Sequence, residues 1–496
     1  MNIVRDSRLE PGMVISVEPM LGNAHGMVIG GSRLEERLHR GGMGALWRVT
    51  RDDIAEPLIM KIPMLGGFEN STAIVGFEVE QMVLPTLTGP HVPRFYASGD
   101  FDTQPFIVME RIGGDSLRVR MDDAPLDPAE VAERGARLAQ AVHALHLQGV
   151  IHHDIKPSNV MFRPSGEAVL IDYGLARHDS LPDLLAEEFR VPMGTGPYIS
   201  PEQVLHIRND PRSDLFAIGV LLYVLATGER PFGVPGTVAG LRKRLYRDPR
   251  PPRDVNPKVP PWLQEVILRC LEVDPSARYQ SAAQLAFDLQ HPEQVVLTAR
   301  ASRLRRDGRG AVFKRWFRSI GREPAARQSA QAQSRSAPIV VAAVDLSAGM
   351  EALADALGTA ARRVFDAEPG ARLACLTVLK THRIAIDLTT DAQGNNLHVK
   401  QLVQLKHWAR SLSIAPERIS YHVIEAPDPA AAIVDYASVN HVDHIVIGSR
   451  GSSTLRRYLG SVSAQVVAQA PCTVTVVRSP GQQGEDEGAP VDRLAA

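Results

Sequence analysis

The stretch Val150–Met161, VIHHDIKPSNVM, decides the fold that this sequence predicts. It places Asp154, Lys156 and Asn159 in the spacing D-x-K-x-x-N. A second carboxylate follows a short apolar run, at Asp172 in LIDYG. Two carboxylates and an amide in consecutive loops can orient a hydroxyl group and coordinate Mg²⁺, which prefers oxygen ligands. The pattern therefore indicates phosphoryl transfer.

Two features upstream fit the same chemistry. The cluster Gly41–Gly44, GGMG, lies between two strand-like runs, where glycines let backbone N–H groups approach phosphate oxygens. A plain hairpin turn is the alternative for this cluster taken alone. Lys61 closes the next apolar strand, LIMK, and either reaches over the surface or points into a cleft toward phosphates. Because the glycine loop, the lysine and both motifs occur in this order, a chance arrangement is remote.

The composition is that of an ordinary globular protein with more than one domain. At 496 residues the chain is long enough for two or three domains, and 44% of its residues are hydrophobic. Lys and Arg number 55 against 56 Asp and Glu, so a formal charge of −1 argues against a generally basic nucleic-acid binder. The clearest change of composition is Arg300–Arg335, where eleven Arg and Lys occur with only Asp307 and Glu323. This stretch indicates a basic linker between two domains.

The sequence shows no sign of secretion or of a membrane span. The first residues, MNIVRDSRLEPG, are charged where a signal peptide needs an apolar core. The longest apolar run, Leu215–Thr227, is shorter than the about 20 residues that a bilayer requires, so it predicts a buried helix. Cys270, Cys375 and Cys472 form neither a disulfide framework nor a CxxC pair. We therefore expect a cytoplasmic protein without a transmembrane segment.

Residues 33–290 resemble a bacterial serine/threonine protein kinase of the eukaryotic-like type, which implies the bilobal α+β kinase fold. The resemblance implies that Asp154 accepts the proton of the substrate hydroxyl and that Lys156 lies beside it on the γ-phosphate. Asn159 and Asp172 are the implied Mg²⁺ ligands. ATP is the implied cofactor, and the implied substrates are Ser and Thr of proteins, this chain included.

The same resemblance assigns further positions to nucleotide binding. Gly41 and Gly44 belong to the loop that covers the phosphates. Lys61 contacts the α- and β-phosphates, with Glu80 on the following helix as its best-placed partner and Glu78 as the less favoured register. Glu110 ends the strand FIVME, which leads into the adenine hinge.

Two departures from the kinase pattern bear on activity. His39 stands where the first glycine of the glycine-rich loop is usual, and we expect weaker nucleotide binding rather than none. His153 replaces the arginine that receives a phosphorylated activation segment, and neutral histidine binds phosphate less strongly. The segment offers only Ser180 as a hydroxyl besides Tyr173. We therefore expect catalysis without activation-loop phosphorylation. A pseudokinase scaffold without phosphotransfer is the alternative function.

The residues after the linker alternate between strands and helices. Pro338–Ser347 is a continuous apolar run typical of a strand buried on both faces, and four further strands follow. The alternation predicts a doubly wound α/β domain with ligands at the carboxyl ends of its strands. Residues 338–478 resemble the universal stress protein family.

This second resemblance implies a nucleotide site in the C-terminal domain. The implied ATP contacts are Asp345, Gly448, Gly451, Gly460 and Ser461. Eight residues separate Gly451 from Gly460, one fewer than in nucleotide-binding members of the family. A nucleotide-free regulatory or dimerisation module therefore stays open as the alternative.

Residues 312–320 of the linker, VFKRWFRSI, have the spacing of an amphipathic helix. Its apolar face holds Phe313, Trp316, Phe317 and Ile320, and Lys314, Arg315 and Arg318 surround it. Such a helix lies on an anionic membrane, docks on a partner, or packs its aromatic rings on one of the chain's own domains. We favour packing on its own domains, because nine residues bind bilayers only weakly.

These observations predict five segments in the chain. They are an N-terminal extension (1–32), the kinase domain (33–290), the basic linker (291–337), the stress-protein-like domain (338–478) and a disordered tail (479–496). We expect a kinase that works in stress signalling. We also expect a homodimer formed through the last strand of the C-terminal domain, Cys472–Val477, because an apolar edge strand invites pairing.

Overall fold

The computed structural model describes residues 24–41, 44–63, 71–189, 191–306, 308–320, 338–347, 349–381, 396–449 and 461–478. Two compact units divide the chain. The first comprises Met1–Ser336 with Leu388–Val403, and the second comprises Ala337–Asp387 with Gln404–Ala496.

A six-stranded antiparallel sheet opens the first unit, with the strand order β1-β2-β3-β4-β6-β5. Its strands are β1 (Val28–Ile29), β2 (Ser32–Gly41), β3 (Gly44–Arg51), β4 (Ile54–Ile62), β5 (Phe95–Gly99) and β6 (Phe106–Glu110). Alternate side chains such as Leu34, Trp47, Leu58 and Met60 are buried in one core. The predicted β-rich small lobe is confirmed.

Helix α1 (Ser71–Val83) lies between β4 and β5 in the chain. Its sequence predicts a helix that stops at Pro85, and the structure shows a 3-10 turn there, Leu84–Thr86. Phe77 meets Phe101 edge to face, with ring centroids 6.0 Å apart. Glu80 lies on the same buried part of the helix and is only 1% exposed. The small lobe thus carries a buried carboxylate that needs a cationic partner.

Helices dominate the rest of the first unit, as the sequence predicts. They are α2 (Leu117–Met121), α3 (Pro128–His146), α4 (Leu184–Glu188), α5 (Pro201–Val204), α6 (Arg212–Thr227), α7 (Val238–Arg242), α8 (Pro252–Val255), α9 (Pro261–Cys270), α10 (Ala282–Gln290) and α11 (Arg309–Ile320). Asp127 and Ser281 cap α3 and α10 with their side chains. Helix α6 is buried from Ser213 to Thr227, which confirms the buried helix predicted for the longest apolar run.

Two short antiparallel strand pairs hold the loops that follow α3. Strand β7 (Val150–Ile151) pairs with β10 (Arg177–His178), and β8 (Val160–Phe162) pairs with β9 (Ala168–Leu170). The motif VIHHDIKPSNVM therefore begins in one strand pair and ends in the other. Because both ends are fixed by backbone hydrogen bonds, the loop between them has a defined course.

Helix α11 lies in the predicted linker, and its structure agrees with only part of what the sequence predicts there. The predicted helix is present, and the Arg315 guanidinium binds Asp248 at 2.9 Å. The aromatic side chains are exposed, however: Phe313 by 64%, Trp316 by 40% and Phe317 by 68%. The expectation that these rings pack on one of the chain's own domains is therefore wrong, because the helix places Arg315 against the domain instead.

The second unit is built around a five-stranded parallel sheet with the strand order β13-β12-β11-β14-β15. Its strands are β11 (Ile339–Ala343), β12 (Arg372–Lys380), β13 (Ile419–Ala426), β14 (His444–Ser449) and β15 (Thr473–Arg478). Its helices are α12 (Glu351–Ala367), the part of α13 (Leu397–Arg410) that begins at Gln404, α14 (Pro429–Val439) and α15 (Ser461–Gln469). Separate apolar clusters cover the two faces of the sheet. This arrangement confirms the predicted doubly wound α/β fold.

Within the described residues, no helix is both long enough and apolar enough to cross a membrane.

Candidate active site

A lysine and two carboxylates meet between the small lobe and the helical lobe. Lys61, near the end of β4, places Nζ 2.5 Å from Glu80 Oε2 and 2.9 Å from Asp172 Oδ1. Glu80 Oε1 accepts a hydrogen bond from the Tyr173 N–H at 3.3 Å. The predicted pair of Lys61 with Glu80 is present, and Glu78 is not its partner in that bond.

The ion pairs in this cluster stabilise the charged forms of Lys61 and Asp172. Burial disfavours the charged form of Lys61, but the carboxylates of Asp172 and Glu80 outweigh it and raise its pKa above the ordinary value. The positive charge of Lys61 lowers the pKa of Asp172 from 3.8 to about 2. Lys61 is therefore cationic and Asp172 anionic across the physiological pH range.

Asp214, at the start of α6, holds the loop that carries Asp154 by hydrogen bonds to its backbone. The backbone N–H groups of His152 and His153 each donate to Asp214 at 2.9 Å, and His146 Nε2 lies 2.9 Å from Asp214 Oδ2. Burial raises the pKa of Asp214, but the hydrogen bond from His146 and nearby imidazoles lower it to about 2. A permanent carboxylate thus fixes the backbone one residue before Asp154.

Both oxygens of Asp154 are held in place. Oδ1 accepts from the Thr195 N–H at 3.0 Å and from Thr195 Oγ1 at 2.7 Å. Oδ2 lies 2.6 Å from Lys156 Nζ and accepts from Asn159 Nδ2 at 3.2 Å. The side chain is 7% exposed. A carboxylate oriented in this way presents a basic oxygen in a fixed direction.

Asn159 and Asp172 fit a divalent cation by the chemistry of their remaining oxygens. Asn159 uses Nδ2 to bind Asp154, which leaves the amide oxygen with only Ser158 Oγ at 3.4 Å among the described residues. Asp172 uses Oδ1 to bind Lys61, and Oδ2 has no hydrogen bond within the described part of the chain. The Ile171 N–H donates to the Asn159 carbonyl at 3.0 Å and joins the two loops. Two hard oxygen donors in adjoining loops suit Mg²⁺.

Asp172 has a backbone conformation that is rare for residues other than glycine. Its φ is 67°, and that of His153 in the other loop is 62°. Such angles lie in the left-handed region, which side chains bearing a Cβ rarely adopt. Both residues are held there by the contacts just described, so the loops store strain at the site itself.

The predicted glycine loop joins β2 to β3. Gly41 and Gly44 face each other across the two strands, and Gly42 and Met43 lie outside the described residues. Gly44 has a φ of 143°, and a Cβ there would lie 2.4 Å from the Ile62 carbonyl oxygen. The close approach of β4 therefore requires glycine at this position.

Glu110 lies at the end of β6, as predicted, but its carboxylate is already occupied. Both of its oxygens bind the Arg163 guanidinium, with Oε2 2.9 Å from Nη2. The Arg163 hydrogen bond lowers the pKa of Glu110, so the pair is ionic. A nucleotide contact at Glu110 would therefore come from its backbone and not from its side chain.

The predicted nucleotide residues of the second unit are only partly described. Asp345 follows β11 and accepts from Ser347 N at 3.1 Å and Oγ at 2.5 Å. Gly448 lies in β14, where a Cβ would come within 3.0 Å of Leu353. Gly451 and Gly460 lie outside the described residues, and Ser461 is the first residue of α15.

A cavity of about 440 Å³ opens at the carboxyl end of this sheet. Its lining includes Lys380, Thr381, Asp428 and Ser461. Neither Asp345 nor Gly448 belongs to the lining, so Ser461 is the one residue among the three predicted residues that the structure describes to line the cavity. The N-terminus of α15 faces it, and such ends attract anions, whereas the Asp428 carboxylate already caps the N-terminus of α14.

Comparison with known protein families decides the identity of this fold. The family model of the protein kinase domain matches residues 33–291, just over half of the 496 residues. The chain belongs to the protein kinase family. The model of the universal stress protein family matches residues 337–478. Both resemblances predicted from the sequence are confirmed.

Two curated relatives of the kinase domain come from bacteria. A probable serine/threonine-protein kinase of Clostridium perfringens is 31% identical over 252 residues, which cover 50% of this chain and 36% of the relative. PknB of Mycolicibacterium smegmatis is 34% identical over 218 residues, which cover 43% and 35%. The chain spans about a third of the length of these relatives. Among solved structures, the kinase domain of Mycobacterium tuberculosis PknI is similar with 23% identity and a TM-score of 0.42, covering 54% of this chain and 98% of that one.

Sequence reasoning missed Arg208, whose hydrogen bonds join three segments of the kinase domain. Arg208 Nε lies 2.9 Å from Asp183 Oδ2, and its Nη2 donates to the Leu175 carbonyl at 3.0 Å. The Arg208 carbonyl is 2.8 Å from His153 Nε2. Arg208 thus connects three segments of the chain. They are the loop that carries His153 and Asp154, Leu175 after the D-Y-G motif, and Asp183, which caps α4. No local signal marks this arginine, because its partners are distant in sequence.

We expect Arg208→Ala to lower kcat of the kinase about tenfold, because hydrogen bonds to charged groups are worth about 1.5–3 kcal/mol each and the activation segment loses its tie. Asp183→Asn keeps the cap of α4 while removing the charge, and should act in the same direction. The double variant should be little worse than either single variant, because both changes break one interaction. Steady-state rates of the three variants test this. Fully additive losses would contradict a shared role.

Proposed function

We propose that the protein is a serine/threonine protein kinase that uses Mg²⁺ and transfers the γ-phosphate of ATP to Ser and Thr residues of proteins. One observation carries the proposal: Lys61 binds Glu80 and Asp172 together, while Asp154 is oriented in the adjoining loop by Thr195. A kinase needs both arrangements at once, because the ion pairs position phosphates and the second aspartate orients the attacking hydroxyl.

Each residue of the site has a distinct task in this proposal. Lys61 binds the α- and β-phosphates, and Asp154 orients the substrate hydroxyl and accepts its proton. Lys156, 2.6 Å from Asp154 Oδ2, lies where it can neutralise charge on the transferred group. Asn159 and Asp172 would hold Mg²⁺, which supplies charge neutralisation at the phosphates. Gly41 and Gly44 bring the backbone of the β2–β3 turn over the nucleotide.

The experiment is a transfer assay on the full chain. The purified protein is incubated with radiolabelled ATP and a generic basic protein, with and without Mg²⁺. We expect label on the basic protein and on the kinase only when Mg²⁺ is present. Absence of label on both proteins in the presence of Mg²⁺ would remove the proposal.

His153 and His39 are the observations that favour a pseudokinase scaffold as the second candidate. His153, however, is buried, and burial together with nearby Arg208 lowers its pKa to about 4. The residue is therefore neutral and packed, and it hydrogen-bonds to the Arg208 carbonyl. His39 pairs with Leu46 in the β2–β3 ladder, directly after an irregularity in the pairing between Arg37 and His39. Neither substitution removes a group that the transfer step uses, so we favour the active enzyme.

We expect Ser180→Ala to leave the transfer rate within about twofold of the wild type, since exposed substitutions away from a site are nearly neutral. Ser180 is exposed, and its described hydrogen-bond partner is His178. The residue that would receive a phosphate in the kinase pattern is the neutral His153. Initial rates of freshly purified wild-type and Ser180→Ala protein measure the effect. A loss of most activity would overturn the phosphorylation-independent account.

We further propose that the C-terminal domain regulates the kinase in stress signalling and joins two chains. Strand β15 supports pairing, because it is an edge strand with β14 as its neighbour in the sheet. An edge of this kind offers free backbone donors and acceptors to a second chain. ATP binding in this domain, at Asp345, Gly448, Gly451, Gly460 and Ser461, is part of the proposal. The cavity beside Ser461 supports it.

We expect the full chain to have twice its 54.1 kDa mass in solution. Light scattering over a dilution series measures the mass directly. Pairing raises the local concentration of kinase domains, so transfer to a partner chain should persist on dilution until the dimer dissociates. An inactive Asp154→Asn chain, co-purified with wild-type chains, serves as the acceptor. A monomeric mass at every concentration would contradict pairing.

We also propose the cytoplasm as the site of action. Cys270, Cys375 and Cys472 are all free thiols. A chain whose cysteines are unpaired suits a reducing compartment.

A further inference from the structure

Helix α11 presents three aromatic side chains to solvent on one side, which we call the aromatic face. Phe313, Trp316 and Phe317 are exposed by 64%, 40% and 68%. The Phe313 and Trp316 rings lie 5.5 Å apart and form one continuous apolar surface. Isolated exposed hydrophobic residues are common, but a cluster of aromatic rings on one helix marks an interaction surface.

The orientation of α11 is fixed from the opposite side of the helix. At about 100° per residue, Arg315 lies roughly 160–200° around the helix from Phe313 and Phe317. Arg315 Nη1 binds Asp248 Oδ2 at 2.9 Å, and Arg303 Nη2 binds the same oxygen at 2.8 Å. Arg315 therefore holds the helix to the kinase domain, at a carboxylate that Arg303 also binds, and directs the aromatic face away from the domain.

The charge around the aromatic face has one sign. No Asp or Glu occurs between Asp307 and Glu323, whereas five Arg and Lys do. Arg305, Arg306 and Lys314 are exposed, and none of them forms an ion pair within the described part of the chain. The surface that covers the aromatic face must therefore be both apolar and anionic.

These observations select one occupant. We propose that the aromatic face docks the kinase domain on a lipid bilayer rich in anionic headgroups. Aromatic rings on one convex helical side, with cations beside them, match an interfacial helix. A second copy of the same face would bring like charges together, which opposes a symmetric contact. Because α11 is already folded and braced, binding does not have to order it, which removes the cost that weakens short amphipathic peptides.

The test uses the full chain and vesicles of phosphatidylcholine with or without phosphatidylglycerol. We expect flotation with the phosphatidylglycerol vesicles only, and loss of binding at high salt, because screening weakens the cationic contribution. The double variant Phe313→Ser with Phe317→Ser should bind at least about tenfold more weakly, since aromatic burial supplies most of the apolar contact. Lys314→Gln should weaken binding about fivefold, the scale for one cation near an anionic surface.

Phe287→Ser is the matched control, because Phe287 is also an exposed aromatic residue, 46% exposed, on helix α10 of the same domain. It should bind vesicles like the wild type, and all variants should keep the wild-type unfolding temperature and phosphotransfer rate. Vesicle binding that survives the double variant would overturn the proposal. So would binding to single-stranded RNA in place of vesicles, which would assign the face to a nucleic acid. If the double variant converts a larger species into a monomer, the aromatic face is a self-association surface. That result would also overturn the proposal.

Discussion

Asp154→Asn should lower phosphotransfer by at least about 10²-fold, the usual scale for losing an acid–base group, which corresponds to about 2.7 kcal/mol of barrier. The amide keeps the size of the side chain and an oxygen for Thr195, whose Oγ1 lies 2.7 Å from Asp154 Oδ1. It lacks the charge that Lys156 pairs with and cannot accept the substrate proton. Initial rates at saturating ATP measure the loss.

Asp53→Asn is the matched control for this change. Asp53 is an exposed carboxylate that pairs with Arg51 far from the site, so the same chemical change should leave the rate unaltered. Circular dichroism and the unfolding temperature of both variants establish that the fold is retained. Transfer by Asp154→Asn at the wild-type rate would withdraw Asp154 from its assigned role.

Asp172→Asn should have a comparable effect, at least about 10²-fold, through loss of charge at the metal and at Lys61. Asparagine is the informative substitution, because it tolerates the left-handed backbone found here, φ 67°, better than alanine does. The loss should be smaller at high Mg²⁺, since a weakened site fills at higher metal concentration. A rate profile against Mg²⁺ for the wild type and the variant separates metal binding from catalysis.

The pH dependence follows from the depressed pKa of Asp172. Lys61 lowers that pKa from 3.8 to about 2. The ionised carboxylate therefore stabilises the folded protein at pH values above its ordinary pKa. This contribution is lost only as the pH falls through about 2. The rate at pH 5–8 should therefore show no titration of Asp172.

An unchanged Mg²⁺ midpoint in Asp172→Asn would contradict its assignment as a metal ligand.

The candidate site could be predicted from the sequence because most of its residues lie in local motifs. VIHHDIKPSNVM carries Asp154, Lys156 and Asn159 within six residues, and LIDYG adds Asp172 shortly after. The pair of Lys61 with Glu80 was implied by the resemblance to the kinase family, and the structure shows it at 2.5 Å.

The contacts that sequence reasoning missed join residues that are distant in the sequence. Thr195 reaches Asp154 across 41 positions of the chain, and Arg208 reaches Asp183 across 25. Neither pair has a spacing that a pattern could reveal. The same limit explains the error at α11: periodicity predicted its aromatic side correctly, but only the Arg315 contact with Asp248 shows which side faces the domain.

The most direct test of the central claim is phosphoamino-acid analysis of a basic protein labelled by the full chain with radiolabelled ATP and Mg²⁺. The account predicts phosphoserine and phosphothreonine, with label reduced at least about 10²-fold when Asp154→Asn replaces the wild type. No label, label on tyrosine alone, or equal label from Asp154→Asn would contradict it.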